Sequence, residues 1–134
     1  MNKLPALLLF VLVFILAPSV IRAQDAVTAD PAHFKVQFEN DEVRVVHVVQ
    51  APHEKSATHS HPASLLVFLT DIHVRFTYPD GRSEEVRGSA GQTRWIGPVT
   101  HQVENLADAP SEVLHIEIKQ AHKTGKTTRP GAKP

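Results

Sequence analysis

The sequence predicts an all-β domain, an antiparallel sandwich or small barrel, over residues 34–119. Roughly eight short segments rich in β-branched and aromatic residues follow one another in this region, and tight-turn signals separate them. None of these segments has the apolar period of about 3.6 residues that is typical of a helix. The chain has 134 residues, which leaves room for one such domain.

In the first half of the domain, periodicity and β-branched residues identify the strands. Apolar and polar residues alternate in the first segment, and the second is β-branched on much of both faces. The last segment is continuously apolar, which indicates a buried strand. The predicted strands are 34–38, 43–49, 57–61 and 65–69, with a loop at 51–55.

The second half begins with a predicted hairpin. Residues 72–78 alternate between apolar and polar, and Pro79-Asp80-Gly81 is a strong turn signal before the partner strand at 83–87. Further Gly and Pro residues then separate three more segments. The predicted strands are 93–96, 99–105 and 113–119.

The N-terminal residues 1–23 have the pattern of a secretory signal peptide, with a positive start, an apolar run and a cleavage point near Ala23. An uncleaved membrane anchor is the alternative, but the run of about 14 apolar residues is shorter than the ~20 that span a bilayer. We therefore expect a secreted or periplasmic protein without stable membrane insertion after cleavage, and a linker at 24–33. The chain contains no cysteine, which excludes disulfides and thiolate ligands.

The formal net charge of zero conceals an uneven distribution. Residues 24–118 contain 7 basic and 14 acidic residues, a net charge of 7 − 14 = −7. From Lys119 onward the charged residues are all basic, and they are spread among Thr, Gly and Pro. This composition is typical of a solvated, disordered end, so we predict a basic disordered tail at 120–134 and no nucleic-acid partner.

The motif most relevant to chemistry is His59-Ser60-His61, which His101 follows about forty residues later. Side chains alternate along a strand, so both imidazoles of the pair should lie on one face. His101 shares its phase with Val99 and Val103, and we therefore expect it to point into the core. Three buried imidazoles from neighbouring strands would suit a divalent metal.

The other six histidines have simpler interpretations. His47 shares a phase with Val45 and Val49, and it fits a hydrogen-bonded core histidine better than a metal ligand. His73 shares a phase with Arg75, and His115 with Glu117, so both are predicted to face solvent. The remaining three are expected to be exposed in linker, loop and tail: His33, His53 and His122.

Two motifs of this chain resemble those of the cupin superfamily, and the resemblance covers residues 43–119. His59-Ser60-His61-Pro62 matches the centre of the first cupin motif, and 97–105 matches the end of the second, where His101 and Asn105 keep their spacing. The resemblance implies a jelly-roll barrel in which His59, His61 and His101 bind a metal. It also implies that homodimers are common among such small domains.

The chain departs from the cupin pattern at the carboxylate ligand. Leu65 or Leu66 stands where the family usually has Glu. Three neutral imidazoles would leave an open site for Zn, Fe, Mn, Ni or Cu, with water or a substrate anion at the free positions. Gln92 is an alternative oxygen ligand, although amides are poor metal ligands.

Three functions are compatible with such a site. The first is an exported, metal-dependent enzyme acting on a small molecule, similar to an oxygenase or isomerase. The second is a non-catalytic module that binds a metal or small ligand, and the absence of an obvious general acid or base favours it. The third is a dimeric structural protein with a vestigial site. Arg44 and Trp95 could line the barrel, although Trp95 is more typical of core packing.

Overall fold

The computed structural model describes residues 24–119, which form one short helix and nine antiparallel strands. The helix α1 spans Ala26–Ala29. The strands are β1 Phe34–Glu39, β2 Val43–Gln50, β3 His59–His61, β4 Ser64–Phe68, β5 Ile72–Thr77, β6 Ser83–Gly88, β7 Thr93–Ile96, β8 Val99–Asn105 and β9 Ser111–Ile118.

The strands form two sheets whose inner faces enclose the core. The five-stranded sheet has the order β1-β2-β9-β4-β7, and the four-stranded sheet has the order β3-β8-β5-β6. Strands far apart in sequence pair with each other, as β2 does with β9 and β3 with β8. The predicted hairpin is present, because β5 and β6 pair from Thr77↔Ser83 onward. The all-β antiparallel prediction is therefore confirmed.

Alternate residues of facing strands fill the space between the sheets. The main apolar cluster lies around Phe68 and Phe76, and a smaller one lies around Phe34. Gly88 permits close packing here, since a Cβ at this position would lie 2.2 Å from the Phe68 ring. The buried members of the main cluster are Leu66, Phe68, Ile72, Val74, Phe76 and Val86.

The outer face of the five-stranded sheet carries a continuous row of apolar side chains. Register places five hydrophobic residues in one row across all five strands. The row ends at the two edge strands with its most exposed members, which are 52% and 59% exposed. We call this set the outer apolar row, and in order it contains Phe38, Val45, Ile116, Leu65 and Trp95.

Residues 24–30, here called the N-terminal segment, pack against the sheets, although the sequence predicts a linker at 24–33. Ala26 is fully buried and belongs to the small cluster with Phe34. Asp25 forms a bridge with Ser60 of β3, and Asp30 accepts a hydrogen bond from Ala57 N. Contacts with residues far along the chain thus hold this segment in place. The composition of the segment alone does not predict these contacts.

The predicted signal peptide and basic tail lie outside the described residues. Within residues 24–119, no helix is long and apolar enough to cross a membrane.

Candidate metal centre

Pairing of β3 with β8 brings the three predicted histidines together. His59 lies directly opposite His101 in the register, and His61 is two residues further along the same face. One ring nitrogen from each residue lies within 4.8 Å of the others. All three side chains are buried, with exposures of 0%, 3% and 1%. The cluster has the size and burial that a metal-bound trio requires.

Hydrogen bonds orient the rings of His59 and His61. His59 Nδ1 lies 2.7 Å from the carbonyl oxygen of Ala57, and His61 Nδ1 lies 2.9 Å from Glu117 Oε1. Each Nδ1 therefore donates its proton outward, which leaves the Nε2 lone pair facing inward. Both Nε2 atoms are buried and have no hydrogen-bond partner, and neither ring nitrogen of His101 has one.

Buried polar atoms without partners are costly, and a divalent metal would satisfy one such nitrogen on each of the three rings at once. The donor set therefore fits a metal of the Zn, Fe, Mn, Ni or Cu type. Burial and, to a lesser extent, the nearby His61 lower the pKa of His59 to about 4. Burial, with the charges of His59 and His61, lowers the pKa of His101 to about 3. Both rings are thus neutral at pH 7, which is the form that binds metal.

A carboxylate and a guanidinium lie immediately behind His61. Glu117 Oε2 accepts a hydrogen bond from Arg44 Nε at 2.6 Å, and Arg44 also contacts Asp25. Burial alone would raise the pKa of Glu117, but hydrogen bonds from His61 and Arg44 lower it below its usual value. Glu117 is therefore an ionised acceptor that fixes the orientation of His61. The sequence suggests Arg44 as a residue that lines the barrel. In the structure it donates a hydrogen bond to Glu117 and so fixes the position of that carboxylate.

His115 and Glu117 both point into the barrel, so the prediction that they face solvent is wrong. Only 8% of His115 is exposed, and its ring centroid lies 4.3 Å from that of His61. Burial lowers the pKa of His115 well below its usual value. The phase was misassigned because apolar Leu114 and Ile116 were expected to face the core, whereas they lie on the apolar outer face. His115 does not join the three-histidine group.

Among residues 24–119, no carboxylate joins the cluster in place of the one that the cupin pattern expects after His61. Leu66 points inward and is buried, and its register partner on β9 is His115. Leu65 faces outward in the outer apolar row. The alternative ligand Gln92 is exposed, and its Oε1 accepts a hydrogen bond from Ser89 N at 2.8 Å. Gln92 is therefore not directed at the cluster.

The other described histidines pair with carboxylates away from the cluster. His47 contacts Glu112 at 3.3 Å on the outer face, and His73 contacts Glu85 at 2.8 Å. His33 lies between Asp30 and Glu54, so it is more enclosed than predicted, while His53 is exposed beside Asp108. His122 lies outside the described residues.

The expectation that Trp95 packs in the core is wrong. Its side chain is 59% exposed on edge strand β7. The register pairs Trp95 with Leu65, which faces outward, so Trp95 belongs to the outer face as well. Trp95 is therefore an exposed member of the outer apolar row.

Two cavities share Phe76 and His101 as lining residues. The inner cavity measures about 40 Å³ and is bordered by the three histidines, His115 and apolar core residues. This volume admits only a few waters, because one water needs roughly 10–15 Å³ on the same measure. The outer cavity measures about 250 Å³ and is bordered by Tyr78, Glu84, Arg94 and His101. Of the three clustered histidines, His101 alone also borders the outer cavity.

Comparison with solved structures identifies the fold as that of cupins. A cupin domain from Bordetella pertussis Tohama I is similar with a TM-score of 0.60 and 24% identity, covering 74% of this chain and 98% of that one. An RmlC-like cupin family protein with a double-stranded β-helix fold from Methanocaldococcus jannaschii has a TM-score of 0.51 and 13% identity, covering 63% and 77%. No protein-family model matches the chain, and no curated protein does. The chain is therefore an all-β protein with the cupin double-stranded β-helix fold.

Proposed function

We propose that this protein is an exported metal-binding protein in which His59, His61 and His101 bind one divalent transition metal. The observation that carries this proposal is the convergence of buried, unpaired ring nitrogens within 4.8 Å of one another. Two of the rings are already oriented by hydrogen bonds to their Nδ1 atoms, as is usual for metal ligands.

The ligand set determines what the site could bind. Three neutral imidazoles leave the charge of the metal undiminished by a directly bound carboxylate, and they leave coordination positions open. A bound divalent metal supplies a Lewis acid that polarises an oxygen atom. The outer cavity is bordered by His101 and by one cation and one anion, Arg94 and Glu84. We infer that the ligand is a small anionic or oxygen-bearing molecule.

A metal-dependent enzyme of oxygenase or isomerase type is one form of this function, and His115 favours it. Its Nδ1 is buried without a partner, and the residue borders the inner cavity beside His61. It could hold a polar atom of a bound molecule. A non-catalytic binding module is the second form, and it needs no such group. A substrate screen of the metal-loaded protein and its His115→Ala variant distinguishes the two forms.

Elemental analysis of the purified full chain tests metal binding. We expect close to one equivalent of a transition metal after reconstitution, and His101→Ala should lose most of it. His53→Ala is the matched control, because His53 is an exposed loop histidine outside the cluster. Less than a tenth of an equivalent in the wild type, or full retention by His101→Ala, would contradict the proposal.

Export is tested separately by the mass of the mature chain. Cell fractionation should place the protein outside the cytoplasm, with its N-terminus shortly after Ala23. An intact Met1 on protein from the cytoplasm would overturn this part alone.

A further inference from the structure

We infer that the N-terminal segment is part of the metal centre, where Asp25 and Asp30 hold His61 and His59 in ligand geometry. The expected effect on metal affinity rests on the proposed function, whereas the contacts that orient the two rings are present without a metal. Two chains of contacts run from this segment, one to each ligand of β3.

The first chain of contacts runs from Asp25 to His61. Asp25 contacts Arg44 through both carboxylate oxygens, one of them 3.3 Å from Nη1. Arg44 then donates to Glu117, and Glu117 accepts from His61 Nδ1 at 2.9 Å. The side chains of Arg44 and Glu117 are only 18% and 2% exposed. The neighbouring Arg44 lowers the pKa of Asp25 against the effect of its own burial. Asp25 therefore offsets the positive charge of Arg44. Without Asp25, that charge would weaken the negative potential that Glu117 exerts on His61.

The second chain of contacts runs from Asp30 to His59. The buried carboxylate of Asp30 accepts a hydrogen bond from Ala57 N at 2.9 Å. The carbonyl oxygen of the same residue accepts from His59 Nδ1 at 2.7 Å. Asp30 thus anchors the backbone of Ala57, the residue whose carbonyl group orients the His59 ring.

A third set of contacts lies between these two chains. Ser60 stands between the ligands of β3, and its N donates to the carbonyl oxygen of Gln24 at 2.9 Å. Ala26 is fully buried against Phe34, whose ring centroid lies 4.5 Å from that of His59. Every residue of the His-x-His motif is therefore linked to the N-terminal segment, either directly or through intervening side chains.

The metal affinity of variants at Asp25 and Asp30 tests this inference, with a control variant that removes the same charge elsewhere. In the full chain, Asp25→Asn should weaken the binding of Zn or Mn by about tenfold, because groups behind metal-ligating histidines typically affect affinity by roughly 10- to 100-fold. Asp30→Ala should act in the same direction. Asp80→Asn is the matched control: it removes another Asp–Arg pair, at 2.7 Å in the β5–β6 turn, and should leave affinity within about twofold.

A double-mutant cycle separates positioning from general stability. Asp25→Asn and Glu117→Gln should be strongly non-additive in metal affinity, because Asp25 acts on His61 through Arg44 and Glu117. Additive effects, or wild-type affinity in Asp25→Asn, would overturn the inference. Asp25 is 36% exposed, so its variant should fold even if Asp30→Ala does not.

The metal-free protein supplies a readout that does not depend on the proposed function. Nitrogen NMR of labelled imidazole rings should show His59 and His61 each as one Nδ1–H tautomer. We expect shifted and broadened signals in Asp25→Asn and Asp30→Ala, and unchanged signals in Asp80→Asn. Unchanged rings in the Asp25 and Asp30 variants would refute the inference. Absence of metal from a wild type with normal rings would refute only the proposed function.

Discussion

Glu117 lies inside the barrel between a cation and one of the candidate metal ligands. At position Leu66 the chain has no carboxylate to coordinate a metal directly, yet an ionised carboxylate contacts the far side of the His61 ring. Negative charge at this distance makes the imidazole a stronger donor without occupying a coordination position. The site thus combines an open coordination sphere with one nearby negative charge.

Replacing Glu117 by Gln should weaken metal binding by about 10- to 100-fold, because the amide keeps the shape but loses the charge. Competition with a chelator measures the change. Glu112→Gln is the matched control, since Glu112 lies on the same strand and contacts His47 on the outer face at 3.3 Å. Equal affinities for the two variants would mean that Glu117 has no electrostatic role.

The buried histidines make the stability of the metal-free protein depend on pH. The pKa values of His59 and His101 are about 4 and about 3 in the fold, against 6.5 for an ordinary histidine. The unfolded chain therefore binds more protons as pH falls below 6.5, and the free energy of unfolding decreases there. Each histidine contributes a slope of up to ~1.4 kcal/mol per pH unit.

Urea unfolding at several pH values between 7 and about 4 measures this slope. His101→Asn should reduce this slope by the contribution of about one proton, while His53→Asn should leave the slope unchanged. A wild-type free energy of unfolding that stays constant across the interval would show that these rings are charged or hydrated in the fold.

At the scale of single elements, the contact of β6 with β4 depends on Gly88. A methyl group there would lie 2.2 Å from the Phe68 ring, which is buried and has little room to move. Gly88→Ala should therefore destabilise the protein by about 1–3 kcal/mol through overpacking. Gly97→Ala is the control, because a Cβ there meets no atom within 4 Å. Thermal unfolding compares the two, and equal midpoints would contradict the packing argument.

Local patterns predicted most of the strands, because alternation and turn chemistry are properties of neighbouring residues. The β5–β6 turn is an example, since Gly81 has a φ of 85° that glycine tolerates best. Inward orientation of His101 was predicted for the same reason: its strand has polar residues on one side and valines on the other.

Features that depend on long-range contacts could not be predicted. The phase of β9 was misassigned because its apolar side lies outside and its polar side lines the site. The structure of the N-terminal segment depends on Arg44 and Ala57, which lie far away in sequence. The pairing of Glu117 with His61 likewise joins residues 56 positions apart.

At the scale of the whole molecule, the outer apolar row is the largest feature that the metal centre does not explain. It crosses the five-stranded sheet from edge to edge, and Phe38 and Trp95 are more than half exposed. Exposed apolar surface of this kind marks interaction sites. The resemblance to cupins is compatible with a homodimer, and a sheet face that is apolar along a full row can pack against its own copy about a two-fold axis.

We expect the protein to dimerise through the outer apolar row, and sedimentation over a range of concentrations measures this. Trp95→Ser should weaken the dimer about tenfold or more, since a buried Trp is a frequent source of interface energy. Leu69→Ser is the control, because Leu69 is 43% exposed but lies outside the row. Trp95 is the only tryptophan, so its fluorescence should shift to shorter wavelength as the dimer forms. A wild type that stays monomeric, with unchanged fluorescence, at every concentration would exclude this interface.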